Sequence, residues 1–164
     1  MPNRDHLEVV ACVTAFNEEA TVGEIVDVLQ SCESIDRVQV VDDGSTDRTA
    51  EVAGAREGTK VISLAERVPV GQAIMHHLTE MEQECILVWC DADLVGLKPE
   101  YIDQLVQRFR EEGVSQSMSS RGLPLDWPRI FRTAPFRAGW TAAFGPISGE
   151  RVILRSDFED ALQL

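Results

Sequence analysis

Two carboxylates close an apolar segment in the middle of the chain. Residues 85–90 read Cys-Ile-Leu-Val-Trp-Cys, and Asp91-Ala92-Asp93 follows directly. A short run that is apolar on both faces is typical of a central parallel strand. Side chains alternate along an extended segment, so Asp91 and Asp93 point to one side and can share a hard cation. Two carboxylates at the end of a buried strand favour a divalent metal that carries a phosphate-rich ligand. The alternative is that both carboxylates cap the following loop.

The segments around this pair predict an alternating order of strands and helices. Alternation at this spacing indicates an α/β fold with a mostly parallel central sheet and helices on both faces. One buried helix stripe follows the i, i+3, i+4, i+7 pattern in residues 21–30, and Pro99 starts a second amphipathic helix. The predicted strands are 8–14, 37–41, 60–64, 85–90 and 113–119, and the other predicted helices are 46–56, with Thr46 and Asp47 as caps, 71–82 and 135–144.

Polar residues follow three of these strands. Asn17-Glu18, Asp42-Asp43 and Asp91-Ala92-Asp93 each stand where a strand ends. Right-handed crossovers place all such loops at the carboxyl edge of a parallel sheet, which is where ligands of these sheets bind. The sequence therefore predicts that the three groups converge on one site.

Composition narrows the classes of partner. The chain has 164 residues, enough for one domain, and a formal net charge of −13. Bulk binding to nucleic acid or to an anionic membrane surface is therefore not expected. A solvated face that keeps the protein soluble is the favoured explanation of the acidity, ahead of a cation-assisted site for an anionic substrate. The four cysteines, three of them in predicted strands, suit a reducing compartment, and the N-terminus lacks the apolar run of a signal peptide. We expect a cytoplasmic protein.

Four segments resemble the signatures of family 2 glycosyltransferases with the GT-A fold. They are Val13-Thr-Ala-Phe-Asn-Glu-Glu-Ala-Thr-Val-Gly23, Val40-Val-Asp-Asp-Gly-Ser-Thr-Asp-Arg-Thr-Ala50, Asp91-Ala92-Asp93 at the place of the family's DxD motif, and Gly145-Pro-Ile-Ser-Gly-Glu-Arg151. The similarity runs from about residue 9 to 158. Around Ser119-Ser120-Arg121 and Trp127-Pro-Arg129 the chain is most similar to polyprenyl-phosphate sugar synthases. The second signature is specific, whereas a DxD alone is a weak signal.

The resemblance implies a site for a UDP- or GDP-linked sugar together with Mg2+ or Mn2+. It implies Asp93 as the direct metal ligand, with Asp91 near the metal or the ribose, and Asp43 near the base. Capping of the turn is the alternative for Asp42 and Asp43, and core packing is the alternative for Phe16. The residues implied for the nucleotide sugar are Thr14, Ala15, Phe16, Asn17, Glu18, Asp42, Asp43, Gly71, Asp91 and Ala92.

The resemblance also implies transfer of a hexose to a phosphate or hydroxyl acceptor, with polyprenyl phosphate at the inner face of a membrane as one such acceptor. Arg121 and Arg151 are the candidates for binding the acceptor or the diphosphate, and Arg121 and Asp157 are the candidates for catalysis. Arg151 can instead pair with a carboxylate at position 150, 157 or 159. Arginine suits phosphate because its guanidinium makes bidentate contacts.

The chain departs from the family in two respects. Where relatives carry Gly-Lys-Gly before the third helix, this chain has Pro69-Val70-Gly71-Gln72, and Arg67 is the nearest basic substitute. Its C-terminal portion is short relative to the family. We therefore expect one GT-A-like domain over 1–164, with a nucleotide-binding half at 8–96 and an acceptor-side region at 113–158. A homo-oligomer is compatible with this. The alternative function is a domain that binds a nucleotide sugar without transfer, or that needs a partner for the acceptor site.

Overall fold

The computed structural model describes residues 4–79, 81–112, 117–119, 124–125 and 149–162. One mixed sheet contains all seven described strands, in the order β3-β2-β1-β4-β7-β5-β6. The strands are β1 (Val9–Ala15), β2 (Arg37–Asp42), β3 (Thr59–Ser63), β4 (Ile86–Asp91), β5 (Ser117–Ser119), β6 (Pro124–Leu125) and β7 (Gly149–Leu154). The helices are α1 (Val22–Gln30), α2 (Thr49–Gly54), α3 (Val70–Leu78), α4 (Pro99–Glu112) and α5 (Arg155–Leu162), preceded by a 3-10 turn at Arg4–His6.

The first four strands are parallel, as the alternating pattern predicts. β1 lies between β2 and β4, with Ala15 opposite Asp42 and Thr14 opposite Asp91. Because these registers align the strand ends, the loops after β1, β2 and β4 leave the sheet side by side. The predicted convergence is therefore correct. We call this edge the rim and define it as residues 16–21, 43–48, 64–69 and 92–98.

Helices cover both faces of the sheet, which confirms the predicted α/β architecture. Val9, Ala11 and Val13 of β1 belong to the core under α1 and α4, whereas Val10 and Cys12 face α3 and α5. This alternation is the period of two that a strand buried on both faces requires. The predicted apolar stripes are buried without exception: Val22, Ile25, Val26 and Leu29 on α1, and Ile102, Leu105, Val106 and Phe109 on α4. All four cysteines are buried, as expected for small apolar side chains.

The far edge of the sheet differs from the prediction. β7 was not predicted, because its apolar core is only Val152–Leu154 and charged residues flank it. In the structure β7 pairs antiparallel with β4, so that Val152 and Leu154 pack on one face and Ile153 on the other. The predicted fifth strand is present at Ser117–Ser119. The predicted helix at 135–144 lies outside the described residues.

Helix α3 ends at Leu78 and not at Glu82. Thr79 leaves the helix, and its hydroxyl donates to the carbonyl of His76 at 2.8 Å. Met81 is nonetheless buried, because it packs beside Cys85 with 3.8 Å between their sulfurs. No described helix is long and apolar enough to cross a membrane.

A buried polar contact ties α3 to the sheet below the rim. His77 is fully buried, with Nδ1 3.3 Å from Gln39 Nε2 and Nε2 3.5 Å from Thr14 Oγ1. Gln39 Nε2 also donates to the His77 carbonyl at 3.1 Å, and the imidazole stands edge-on to Trp89 at 5.1 Å. Burial lowers the pKa of His77 to about 3, so this imidazole is neutral at pH 7. His76, next to it, is half-buried.

We predict that His77 makes the fold sensitive to acid. The pKa of His77 is about 3 in the folded chain and 6.5 in its ordinary state. Between pH 6.5 and pH 3 the imidazole is therefore protonated only in the unfolded chain, so the free energy of unfolding falls as the pH drops through 6.5. Urea unfolding at about pH 7.5 and pH 5 should show that wild type loses roughly 2 kcal/mol more than His77→Gln, which cannot titrate there. Equal losses in the two proteins would contradict this origin.

Candidate functional site

Two exposed carboxylates stand at the end of β4, one on its last residue and one two positions later. Asp91 and Asp93 are exposed, whereas Ala92 between them is 3% exposed and belongs to the core. The exposed side chains at 91 and 93 therefore alternate with the buried one at 92, which agrees with the predicted period of two. Carboxylate oxygens are ligands that Mg2+ and Mn2+ accept, so this donor pair fits such a cation. No group of three acidic, histidine or cysteine ligands occurs among the described residues, so a cation here would need further oxygens from a ligand and from water.

The carboxylates that follow β2 have a different environment. Asp42 and Asp43 are 4% and 6% exposed. Asp42 Oδ1 accepts from the backbone N–H of Ser45 at 3.3 Å, and Asp43 Oδ1 accepts from the backbone N–H of Val68 at 2.8 Å. Both residues therefore cap backbone, as the alternative interpretation held. Each also keeps one oxygen that accepts no hydrogen bond from the described residues, so capping leaves room for a ligand.

Gly44 brings the loop after β3 against this turn. Its φ is +70°, and a Cβ on it would lie 2.5 Å from the carbonyl carbon of Glu66 and 2.6 Å from the nitrogen of Arg67. Only glycine permits both this backbone conformation and this approach. The same loop carries the Arg67 guanidinium to 4.2 Å from the centre of the Phe16 ring. Phe16 is half-buried and so retains contact with solvent, which goes against simple core packing.

The loop after β1 presents three consecutive backbone N–H groups to the loop after β2. They donate to side chains of that loop and of the first residue of α2: Asn17 to Ser45 Oγ at 2.9 Å, Glu18 to Thr49 Oγ1 at 2.7 Å and Glu19 to Asp47 Oδ2 at 3.2 Å. Side-chain oxygens thus satisfy donors that this irregular segment cannot pair within itself.

The loop after β2 makes the same kind of contact in return. The backbone N–H of Thr46 donates to Asn17 Oδ1 at 2.9 Å, and that of Arg48 donates to Glu19 Oε2 at 3.0 Å. The Thr46 hydroxyl also donates to Asn17 Oδ1 at 3.3 Å. We call this reciprocal set the interloop clamp; its members are Asn17, Glu18 and Glu19 on one side and Ser45, Thr46, Asp47, Arg48 and Thr49 on the other.

Two predicted ligand residues have partners inside the protein. Asn17 has a φ of +56°, which is uncommon for a residue other than glycine, although asparagine tolerates it. The carboxylate of Glu18 accepts from the Thr21 hydroxyl at 2.9 Å. Both side chains therefore hold loops in place, whatever else they contact. Sequence reasoning gave Thr46 only a helix-capping role and gave none to Ser45 and Thr49, although a run of short oxygen-bearing side chains directly after a strand was the available signal.

The other predicted residues lie at varied distances from the rim. Gly71 is in the first turn of α3. In the antiparallel register of β7 with β4, Arg151 lies opposite Trp89, which is two positions before Asp91. Asp157 lies at the opposite edge, since α5 starts where Arg155 N donates to Cys85 O, before β4 begins. Arg155 forms an ion pair of 2.7 Å with Glu159. Arg121 lies outside the described residues.

The chain is similar to known proteins both in sequence family and in structure. A family model described as glycosyl transferase family 2 matches residues 10–161. No match was found among curated proteins.

Among solved structures, glucosyl-3-phosphoglycerate synthase from Mycobacterium tuberculosis in complex with phosphoglyceric acid is similar, with a TM-score of 0.65 and 25% identity. The same synthase with Mn2+, UDP-glucose and phosphoglyceric acid gives a TM-score of 0.64 and 27% identity. Each comparison covers 94% of this chain and 59% of the synthase chain. A structure described only as a mycobacterial protein has a TM-score of 0.61 and 27% identity over 71% of this chain and 42% of that one. This chain thus spans less than two thirds of the length of these structures.

We predict that Gly44→Ala destabilises the protein more than Gly58→Ala. Both glycines have positive φ, +70° and +79°, so alanine costs each about 1–2 kcal/mol. A Cβ at Gly58 meets nothing within 4 Å, whereas one at Gly44 must also push the Glu66–Arg67 backbone away. Urea unfolding of the two variants measures the difference. If both lose the same free energy, the close approach at Gly44 carries no energetic weight.

Proposed function

Because this chain belongs to glycosyl transferase family 2, we propose that it binds a nucleoside diphosphate sugar at the rim and transfers the sugar to an acceptor. One observation carries the proposal: the exposed pair Asp91 and Asp93 stands across the end of β1 from Asp43, and Phe16 directly follows β1 between them. The ends of β4 and β2 are two strand spacings apart, about 10 Å. An extended nucleoside diphosphate bridges that distance, with its phosphates toward β4 and its base toward β2.

The residues have separate tasks in this proposal. Asp93, with Asp91, holds Mg2+ or Mn2+, which when bound neutralises charge that develops on the diphosphate leaving group. Asp43 accepts from base N–H groups through the oxygen that Val68 leaves unused. Phe16 offers a ring face to the base, and Arg67 adds a cation beside it. Contact with the nucleotide sugar is further proposed for Thr14, Ala15, Glu18, Asp42, Gly71 and Ala92.

We propose a uridine nucleotide as donor and a phosphate-bearing molecule as acceptor. The structural relative was crystallised with UDP-glucose, Mn2+ and phosphoglyceric acid, and this supports the choice of a UDP-sugar over a GDP-sugar. A guanidinium suits the acceptor phosphate, and Arg151 and Arg121 remain the proposed groups. An acceptor that brings its own oxyanion can attack the sugar without a protein base. Small phosphates and polyprenyl phosphate at a membrane surface both meet this requirement.

Calorimetric titration tests donor binding. Wild type should bind UDP-glucose more tightly with Mn2+ than with EDTA, and GDP-mannose more weakly than UDP-glucose. If Mn2+ does not increase the affinity for either nucleotide sugar, the proposal is wrong.

We predict that Asp93→Asn removes the gain in affinity that Mn2+ gives and leaves the melting temperature unchanged, because Asp93 is exposed and lies outside the core. Loss of one charged ligand should weaken metal-dependent binding about tenfold or more. Glu24→Gln, which removes an exposed carboxylate from α1, is the matched control and should bind as wild type does. Unchanged metal dependence in Asp93→Asn would exclude Asp93 as a ligand.

A second candidate is a domain that binds the nucleotide sugar without transfer. The observation that favours it is the position of the late carboxylates Asp157 and Glu159. They lie on α5, which starts at the edge opposite the rim, so neither is placed to act as a catalytic group at the proposed donor site. A coupled assay for UDP release separates the two candidates. With UDP-glucose and Mn2+, we expect release to rise when phosphoglycerate or dolichyl phosphate is added. Tight binding without acceptor-dependent release would favour the second candidate.

A further inference from the structure

We infer that Asn17 is a positioning residue for nucleotide binding, and that it acts through Ser45 and Thr46 rather than by contact with the ligand. The inference rests on the proposed function and specifies how the site is held. Asn17 directly follows Phe16, and Ser45 and Thr46 stand two and three residues after Asp43. A bond between these loops therefore sets the distance between the ring and the carboxylate proposed for the base.

The bonding of Asn17 supports a role directed into the protein. Its backbone N–H donates to Ser45 Oγ, and its Oδ1 accepts both the N–H and the hydroxyl of Thr46. Its φ of +56° turns the chain so that all three bonds form at once. A residue in a sparsely populated conformation persists only where its surroundings hold it, and such residues concentrate at functional sites.

Further hydrogen bonds connect the loops of the clamp to the loop after β3. Asp43 N donates to the Ala15 carbonyl at 2.8 Å, and Asp43 Oδ1 binds the N–H of Val68. Arg67, next to Val68, then returns to the Phe16 ring. A closed circuit thus runs from Phe16 through Asn17, the β2 loop and the β3 loop back to Phe16. If it is opened at Asn17, a nucleotide must order these loops as it binds, and its affinity falls.

A graded set of substitutions at Asn17 tests this. Asn17→Asp keeps the Oδ1 acceptor and tolerates positive φ, Asn17→Gly keeps only the backbone conformation, and Asn17→Ala loses both. UDP affinity with Mn2+ should then fall in the order wild type, Asp, Gly, Ala, with Asp within about twofold of wild type and Gly about three- to tenfold weaker. Titrations at about 0.3 M NaCl screen the charge that aspartate adds.

Ser45→Ala tests the partner side. It should weaken UDP binding as Asn17→Gly does, and the double variant should lose less than the product of the two single losses, because both open one circuit. Ser34→Ala is the matched control. It removes a 2.6 Å bond from the Ser34 hydroxyl to Asp103, between the α1–β2 connection and α4, and should lower the melting temperature without changing UDP affinity.

The outcomes separate the two levels of the proposal. If wild type binds no UDP, the proposed function fails and this inference with it. If wild type binds UDP while Asn17→Gly and Ser45→Ala bind equally well, only the positioning role fails. If Asn17→Asp, Asn17→Gly and Asn17→Ala lose equally and Ser45→Ala loses nothing, the Asn17 amide contacts the nucleotide directly and the inference is overturned. All titrations are run below the melting temperature of each variant, measured by circular dichroism.

Discussion

The rim depends on how consecutive backbone N–H groups are satisfied where β1 stops. The segment from Asn17 to Glu19 can pair them neither with a neighbouring strand nor within a helix, and loss of such bonds in a packed loop is costly. Side chains that follow β2 accept these hydrogen bonds instead. In return, the backbone N–H groups of Thr46 and Arg48 donate to side chains of the loop after β1. Each loop thus supplies hydrogen-bond acceptors for the backbone of the other. Every polar group of the rim near the end of β1 is therefore positioned relative to two strands at once.

This arrangement divides the acidic residues into two classes. Asp42 and Asp43 are buried and stabilised by backbone donors, so they suit hydrogen bonding to a neutral base more than binding of a cation. Asp91 and Asp93 are exposed, and their charge can be offset by a hydrated cation. A chain with a net charge of −13 repels a diphosphate unless cations intervene. The exposed pair at β4 is suited to bring such a cation without disturbing the buried pair at β2.

The parts of the fold that the sequence predicted are those with a local cause. Apolar periodicity is set by burial along one helix or strand, so the sequence alone could locate α1, α4 and the four parallel strands. Because parallel strands share one direction, it could also predict that Asp43 and Asp93 lie at one edge of the sheet. β7 was missed because three apolar residues become a strand only through pairing with β4. The clamp was missed for a similar reason. Ser45 and Thr46 look like ordinary turn residues until the second loop that they contact is present.

The end of β1 makes polar contacts both within the sheet and in the loop that follows it. Thr14 approaches His77, which Gln39 of β2 contacts in turn, while Asn17 and the residues after it bind the loop that follows β2. β1 and β2 are therefore joined at three levels: by the parallel ladder, by the buried imidazole and by the clamp. A buried polar residue such as Gln39 is costly where its polar atoms are not bonded. Its amide nitrogen is bonded to His77, whereas Gln39 Oε1 is buried without a hydrogen-bond partner among the described residues. The polar residues at the end of β1 thus connect it both to the buried imidazole and to the loop after β2.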